Sequence, residues 1–208
     1  MAAVATRVLR IDAARPEASV LDAAAARLRG GGLVAFPTET FYGLGAAISS
    51  ETGVARVFEV KGRPTSKPLL VLVDSMAMAA SLATVVSDTA RALMARYWPG
   101  PLTLVLPARP SVPGALTAGT GTIGIRWPDH AVAVGLVRAL GEPLTAPSAN
   151  PSDAAPPRTA DEVLTYFDGT LDLVLDSGAT AGGAPSTVLD VTVDPPRLLR
   201  RGAVVPGG

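Results

Sequence analysis

The stretch from Ser19 to Gly45, SVLDAAAARLRGGGLVAFPTETFYGLG, decides the fold. Its first half is Ala-rich and stops at Gly30-Gly-Gly32, the pattern of a helix and its C-terminal punctuation. Ser19 and Asp22 have capping-box spacing, which predicts that this helix opens there. Leu33 to Phe36 is a short apolar run ended by Pro37, as expected of a buried strand. Hydroxyl side chains, one Glu and one Tyr then crowd a Gly-containing turn. Helix, buried strand and polar loop together form the repeating unit of an α/β protein.

The same alternation continues outward. Glu51 to Val60 reads as a helix with Val54, Val57 and Phe58 on one face, and Leu69 to Val73 as a strand. Ser87 to Tyr97 is a helix stopped by Trp98-Pro-Gly-Pro101. Leu102 to Leu106 is a strand, and Pro107 to Gly121 a Gly/Pro-rich loop. Thr122 to Arg126 (strand), His130 to Leu140 (helix) and Leu144 to Ala146 (strand) follow. Asn150 to Pro157 is a loop, and Thr159 with Glu162 makes a second capping box. Leu171 to Leu175, Thr187 to Val191 and Arg197 to Arg200 close the chain as strands. The expectation is one α/β domain over residues 1–208. It is built on a twisted, mixed or mostly parallel sheet flanked by helices.

Composition excludes several kinds of function. The 18 basic and 18 acidic side chains cancel, which argues against a broad polybasic nucleic-acid surface. With no Cys there is no disulfide framework, thiolate metal site or cysteine nucleophile. One His does not make a multi-histidine metal site, so no protein metal ligands are expected. Met1 to Ser19 carries scattered charges and lacks the apolar region of a signal peptide. No uncharged run reaches the roughly 18 apolar residues of a membrane span. A soluble cytoplasmic protein is expected. The scarce residues are informative: the only lysines are Lys61 and Lys67, the only Asn is Asn150 and the only His is His130.

Four loops leaving apolar strands or helices are candidate sites. Thr38, Thr40 and Tyr42, with the carboxylate of Glu39 among them, offer hydroxyls to a small polar ligand, or form an ordinary turn with satisfied hydroxyls. Lys61-Gly-Arg63-Pro-Thr-Ser-Lys67 has the cations and backbone freedom that phosphate oxygens require, or is a solvated basic loop. Ser148 and Asn150 are two apart, so in an extended segment they point the same way; an Asx turn before Pro151 is the alternative. Arg126 and Arg200 end apolar strands, where a buried guanidinium needs an anion from a ligand or from the protein. Gly119-Thr-Gly121-Thr-Ile-Gly124 matches G-x-G-x-x-G but leads into a strand, so it fails as a dinucleotide fingerprint.

Taken together, PTETFYGLG from Pro37, KGRP from Lys61, WPGPLT from Trp98, GIRWPDH from Gly124, APSAN from Ala146, PSTV from Pro185 and LLR from Leu198 occur in an order that resembles the YrdC/Sua5 family of threonylcarbamoyl-AMP synthases (TsaC type). The match runs from about Leu33 to Gly202. The resemblance implies a YrdC-like fold with a concave basic site and the short, YrdC-only form. It implies synthesis of L-threonylcarbamoyladenylate from L-threonine, bicarbonate and ATP with release of pyrophosphate. Mg²⁺ would accompany the ATP. Partner threonylcarbamoyl-transferase proteins would act downstream, giving t6A at position 37 of ANN-decoding tRNAs. Weak binding of tRNA or double-stranded RNA belongs to the same expectation.

Carried over by motif, Thr38, Arg126 and Ser186 would bind threonine. Lys61, Arg63, Lys67, Thr122, Ser148, Asn150, Thr159 and Arg200 would surround the nucleotide, with Lys61 and Arg63 catalytic. Three positions depart from the family pattern: Leu72 where a His is common, Asp153 where a Gly is usual and Pro185 where a Glu is common. The competing reading is a non-catalytic RNA-binding module of the same type. A scarcity of stacking aromatics beside the cations weighs against it.

Overall fold

A computed structural model describes residues 5–206. The ends of the expected 1–208 domain, residues 1–4 and 207–208, lie outside the described residues. In chain order, β1 (Arg7–Arg10) leads to α1 (Ala18–Arg29), β2 (Val34–Phe36), β3 (Gly43–Gly45) and α2 (Glu51–Lys61). Then come β4 (Val71–Leu72), α3 (Met76–Leu82), α4 (Asp88–Tyr97), β5 (Leu102–Pro107) and α5 (Gly114–Thr117). β6 (Thr122–Arg126), α6 (Ala131–Leu140), β7 (Leu144–Thr145), α7 (Ala160–Phe167), β8 (Leu173–Asp176), β9 (Thr187–Asp190) and β10 (Arg197–Arg200) complete the domain.

Helix starts follow side-chain chemistry. Ser50, Ser75, Ser87 and Thr159 each accept a hydrogen bond from the backbone N–H three residues on, satisfying a donor the helix leaves open. The expected capping box at Ser19 does not form. The helix begins at Ala18 with Glu17 as its uncapped flank, so Ser19 lies inside the first turn. The chain is turned into α1 by Asp12, whose carboxylate accepts from the N–H groups of Ala14 and Arg15.

Two sheets replace the one expected: β1-β8-β2-β3 and β10-β9-β5-β6-β4-β7. Both are mixed. β8 pairs parallel with β1 and β2, while β2–β3 is antiparallel. In the larger sheet, β5–β9 and β4–β6 are parallel, and β5–β6, β4–β7 and β9–β10 antiparallel. Isolated bridges from Gly43 to Ser148 and from Ala47 to Leu144 join the two sheets. β1 and β3 escaped the sequence reading because one is mostly exposed and the other is Gly-Leu-Gly. The short helices α3 and α5 also escaped it, α5 inside the expected Pro107–Gly121 loop.

One hydrophobic cluster gathers α2, α4, α7 and the inner residues of β4, β5 and β6. A second joins α1, α6 and the other face of β2 and β8. The chain is thus a single α/β domain with helices flanking mixed sheets. No helix among the described residues is long and apolar enough to cross a membrane.

The glycines of β3 serve packing. A Cβ on Gly45 would stand 3.0 Å from Phe36 Cε1 and from Leu144 Cδ1, both fully buried. Gly45→Ala is expected to overpack this seam and cost about 1–3 kcal/mol, read from the urea unfolding midpoint. An unchanged midpoint would show that the seam yields without strain.

Candidate functional site

A cavity of about 820 Å³ draws its lining from both sheets. Thr38 enters from the loop after β2, and Lys61, Arg63 and Lys67 from the end of α2 and its following loop. β6 supplies Thr122 and Arg126. Ser148 and Asn150 come from the loop after β7, and Ser186 and Arg200 from the β9–β10 region. Ten of the 11 residues expected at the site therefore share one cavity. Thr159 is the exception: it is absent from the wall, and its hydroxyl accepts from Glu162 N–H as the cap of α7.

Backbone pairing fixes the first and third loops against each other. Leu44 N–H donates to Pro147 O at 2.7 Å, and Ala149 N–H to Tyr42 O at 2.8 Å. Lys61 then fastens the third loop to α2. Its Nζ donates to Ser148 O and Asn150 O, each at 2.5 Å, and its own carbonyl accepts from Ser152 N–H at 2.7 Å. The lysine expected to serve phosphate chemistry thus spends two of its three donors on the Ser148–Asn150 loop. The loop is not extended through Asn150, whose N–H bonds back to Ser148 O at 2.9 Å. Asn150 Nδ2 donates to Pro151 O and Ala154 O, while its Oδ1 is buried without a partner.

Gly62 ends α2 in the left-handed region, φ 55°, which turns the chain toward Arg63. Arg63 closes its own loop through Pro68 O at 2.7 Å and Lys67 O at 3.3 Å. On the opposite wall, Arg200 Nη2 donates to Ser186 O at 2.8 Å and to Ser186 Oγ at 2.9 Å. Ser186 Oγ also lies 2.9 Å from Thr103 Oγ1. Thr38 Oγ1 donates to Phe41 O at 2.7 Å and accepts from Thr40 and Phe41 N–H. Arg126 Nη2 sits 2.6 Å from Glu39 Oε1, so the anion its burial demands includes a protein carboxylate.

The cations are close enough to disturb one another. Burial, with a further push from Arg63, lowers Lys61 from its ordinary 10.5 to about 8. Burial lowers Arg63, and burial with the charges of Arg126 and Arg63 lowers Arg200. A multiply charged anion in the cavity would relieve that repulsion.

Sequence reasoning missed Thr103 and Gly202. Thr103 was legible in principle, because it alternates with Val105 on one face of β5 and both reach the cavity. Gly202 carried no such signal. An added Cβ there would run into Pro185 O and the backbone of Ser186 and Thr187, so only Gly lets the chain end pack over Ser186.

The three departures have distinct outcomes. Leu72 is fully buried in the second hydrophobic cluster and absent from the cavity wall. Asp153 takes φ 68°, the left-handed backbone that a glycine adopts freely. Pro185 O accepts from Ala203 N–H at 2.9 Å.

Fold and cavity define a class: an α/β domain that converges buried cations and hydroxyls on one concave site. The family model Sua5_yciO_yrdC, described as telomere recombination, matches residues 26–202. A threonylcarbamoyl-AMP synthase of Pyrococcus abyssi is 45% identical over 181 residues, covering 87% of this chain and 53% of that protein. One of Bacillus subtilis is 43% identical over 182 residues, with 87% and 53% covered. The crystal structure of P. abyssi Sua5 complexed with L-threonine aligns with a TM-score of 0.91 at 43% identity, covering 95% of this chain and 58% of that one. The chain belongs to the Sua5/YciO/YrdC family. It spans about half the length of the curated relatives it matches first.

The lowered Lys61 value has a stability consequence. Between pH 8 and 10.5 the unfolded chain binds more protons at this residue than the folded one, so stability rises with pH across that window. The folded state carries the whole penalty below pH 8 and sheds it as pH climbs. Relative to Lys61→Met, the wild type is expected to gain up to about 3 kcal/mol over that range in urea unfolding. A constant difference between the two proteins would show that Lys61 titrates normally.

Proposed function

We propose that this chain forms L-threonylcarbamoyladenylate from L-threonine, bicarbonate and ATP, releasing pyrophosphate. The observation that carries the reading is the convergence of Lys61, Arg63, Arg126 and Arg200 on one cavity that also presents the hydroxyl side chains Thr38, Thr122, Ser148 and Ser186. Such a set suits a carboxylate, a carbamate and a triphosphate held together. The 43–45% identity to threonylcarbamoyl-AMP synthases supports the same reading.

In this reading Arg126 pairs with the threonine carboxylate, and Thr38 and Ser186 bind its polar groups. The threonine amine and bicarbonate condense to a carbamate with loss of water. A carbamate oxygen attacks the α-phosphorus in line, the bond to the β-phosphate oxygen breaks, and pyrophosphate leaves. Arg63, Lys67 and Arg200 offset the crowded charge, with Thr122 on the same wall. Lys61 acts through the Ser148–Asn150 loop, whose Ser148 and Asn150 both line the cavity.

Magnesium would enter with the nucleotide, bound chiefly by phosphate oxygens and water. Two carboxylates line the cavity. Asp190 is engaged by Thr192 and Arg197, leaving Asp153 as the acid suited to approach such an ion. Among the described residues no three of His, Cys, Asp and Glu cluster as a protein cage. Downstream threonylcarbamoyl-transferase proteins would deliver the product's threonylcarbamoyl group to position 37 of ANN-decoding tRNAs.

The test is pyrophosphate release from ATP and bicarbonate, with and without L-threonine. Threonine-dependent release is expected. Release indifferent to threonine, or RNA binding without any release, would defeat the proposal. Arg63→Ala should lower kcat/KM by roughly 2–4 kcal/mol in transition-state terms with an unchanged circular dichroism spectrum.

A further inference from the structure

Glu39 has a placement that the proposed reaction does not use. Arg126 lines the cavity and Glu39 does not, so their ion pair ties a wall residue to a group behind the wall. The two side chains are 6% and 17% exposed, and both carboxylate oxygens are closed to solvent. The 2.6 Å contact is off line, and neither carboxylate oxygen completes a hydrogen bond. A buried carboxylate with so few partners is costly unless a charge compensates it, and here that charge is Arg126.

The remaining donors of Arg126 are also apportioned. Nε donates to Gly100 O at 3.3 Å. Nη2 faces Glu39, which leaves Nη1 without a protein partner among the described residues. Guanidinium binding of a carboxylate depends on the orientation of a planar fork, and two of its three nitrogens are fixed from the protein side.

We propose that Glu39 is a positioning residue for Arg126, setting the plane of the guanidinium so that Nη1 meets the carboxylate of an amino-acid substrate. The inference rests on the reading of the cavity as a threonine site.

The experiment uses the full chain, with calorimetric L-threonine binding alongside pyrophosphate-release kinetics. Glu39→Gln keeps the volume and removes the charge. Its threonine Kd and KM are expected to rise about tenfold or more while the ATP KM stays within about twofold, a split that general loosening would not produce. Glu39→Asp, which restores the charge, should recover part of the threonine affinity and keeps the test decisive if Glu39→Gln fails to fold. A threonine KM in Glu39→Gln within about twofold of wild type, or a parallel rise in the ATP KM, would overturn the positioning role. Wild-type protein that neither binds threonine nor releases pyrophosphate would overturn the functional reading itself, a result distinct from either.

Discussion

The ammonium of Lys61, 3% exposed and bonded to Ser148 O and Asn150 O, is the contact on which the cavity depends. Removing a cation from water is costly, and the two carbonyl dipoles repay it only if the loop after β7 stays against α2, where Ser152 N–H also donates to the Lys61 backbone carbonyl. That constraint is local in sequence at one end only; the other end lies 87 and 89 residues away. The same lysine therefore closes a long chain loop and brings the helical wall of the cavity against the wall from β7. Gly62 completes the arrangement by turning the chain at the end of α2, so Arg63 is delivered beside the fastened loop.

The sheets supply the rest. The cavity takes Arg126 and Thr122 from β6, Thr103 from β5 and Arg200 from β10, all in the six-stranded sheet. Backbone bonds from Tyr42, Leu44 and the 147–149 segment attach the four-stranded sheet to it. Strands carry Arg126 and Arg200 with Thr103 and Thr122, while α2 and the loops carry Lys61, Arg63, Lys67, Thr38 and Ser148. Mutual repulsion among Arg63, Arg126 and Arg200 is built into the cavity lining, and an anion bound among them would offset it.

Much of this was legible in the sequence where physics is local. Thr159 before α7 announced a cap, β6 runs from Thr122 to Arg126 as its β-branched pattern predicts, and the paired lysines marked a site loop. Ser19 misled because cap spacing says nothing about where the chain enters the helix, which Asp12 decides from outside it. β3 was hidden because Gly43 and Gly45 are chosen for contact with Phe36 and Leu144, not for strand propensity. The division into two sheets and the direction of the Lys61 ammonium depend on contacts many residues apart, which no window along the chain contains. Thr159 shows the converse: a residue assigned to the nucleotide by motif is accounted for by its helix.

β10 carries one further consequence. It is an edge strand, exposed along its whole length, with a register shift between Leu198 and Arg200. Strands of this kind separate from their sheets at a smaller free-energy cost than central ones. Arg200 and its grip on Ser186 therefore lie on an edge that opens at lower cost than the centre of the sheet. Affinity at that end of the cavity is reduced by the fraction of time the strand is detached, and an occupant that bonds to Arg200 works as a clasp for the edge of the sheet as well as a guest in its cavity.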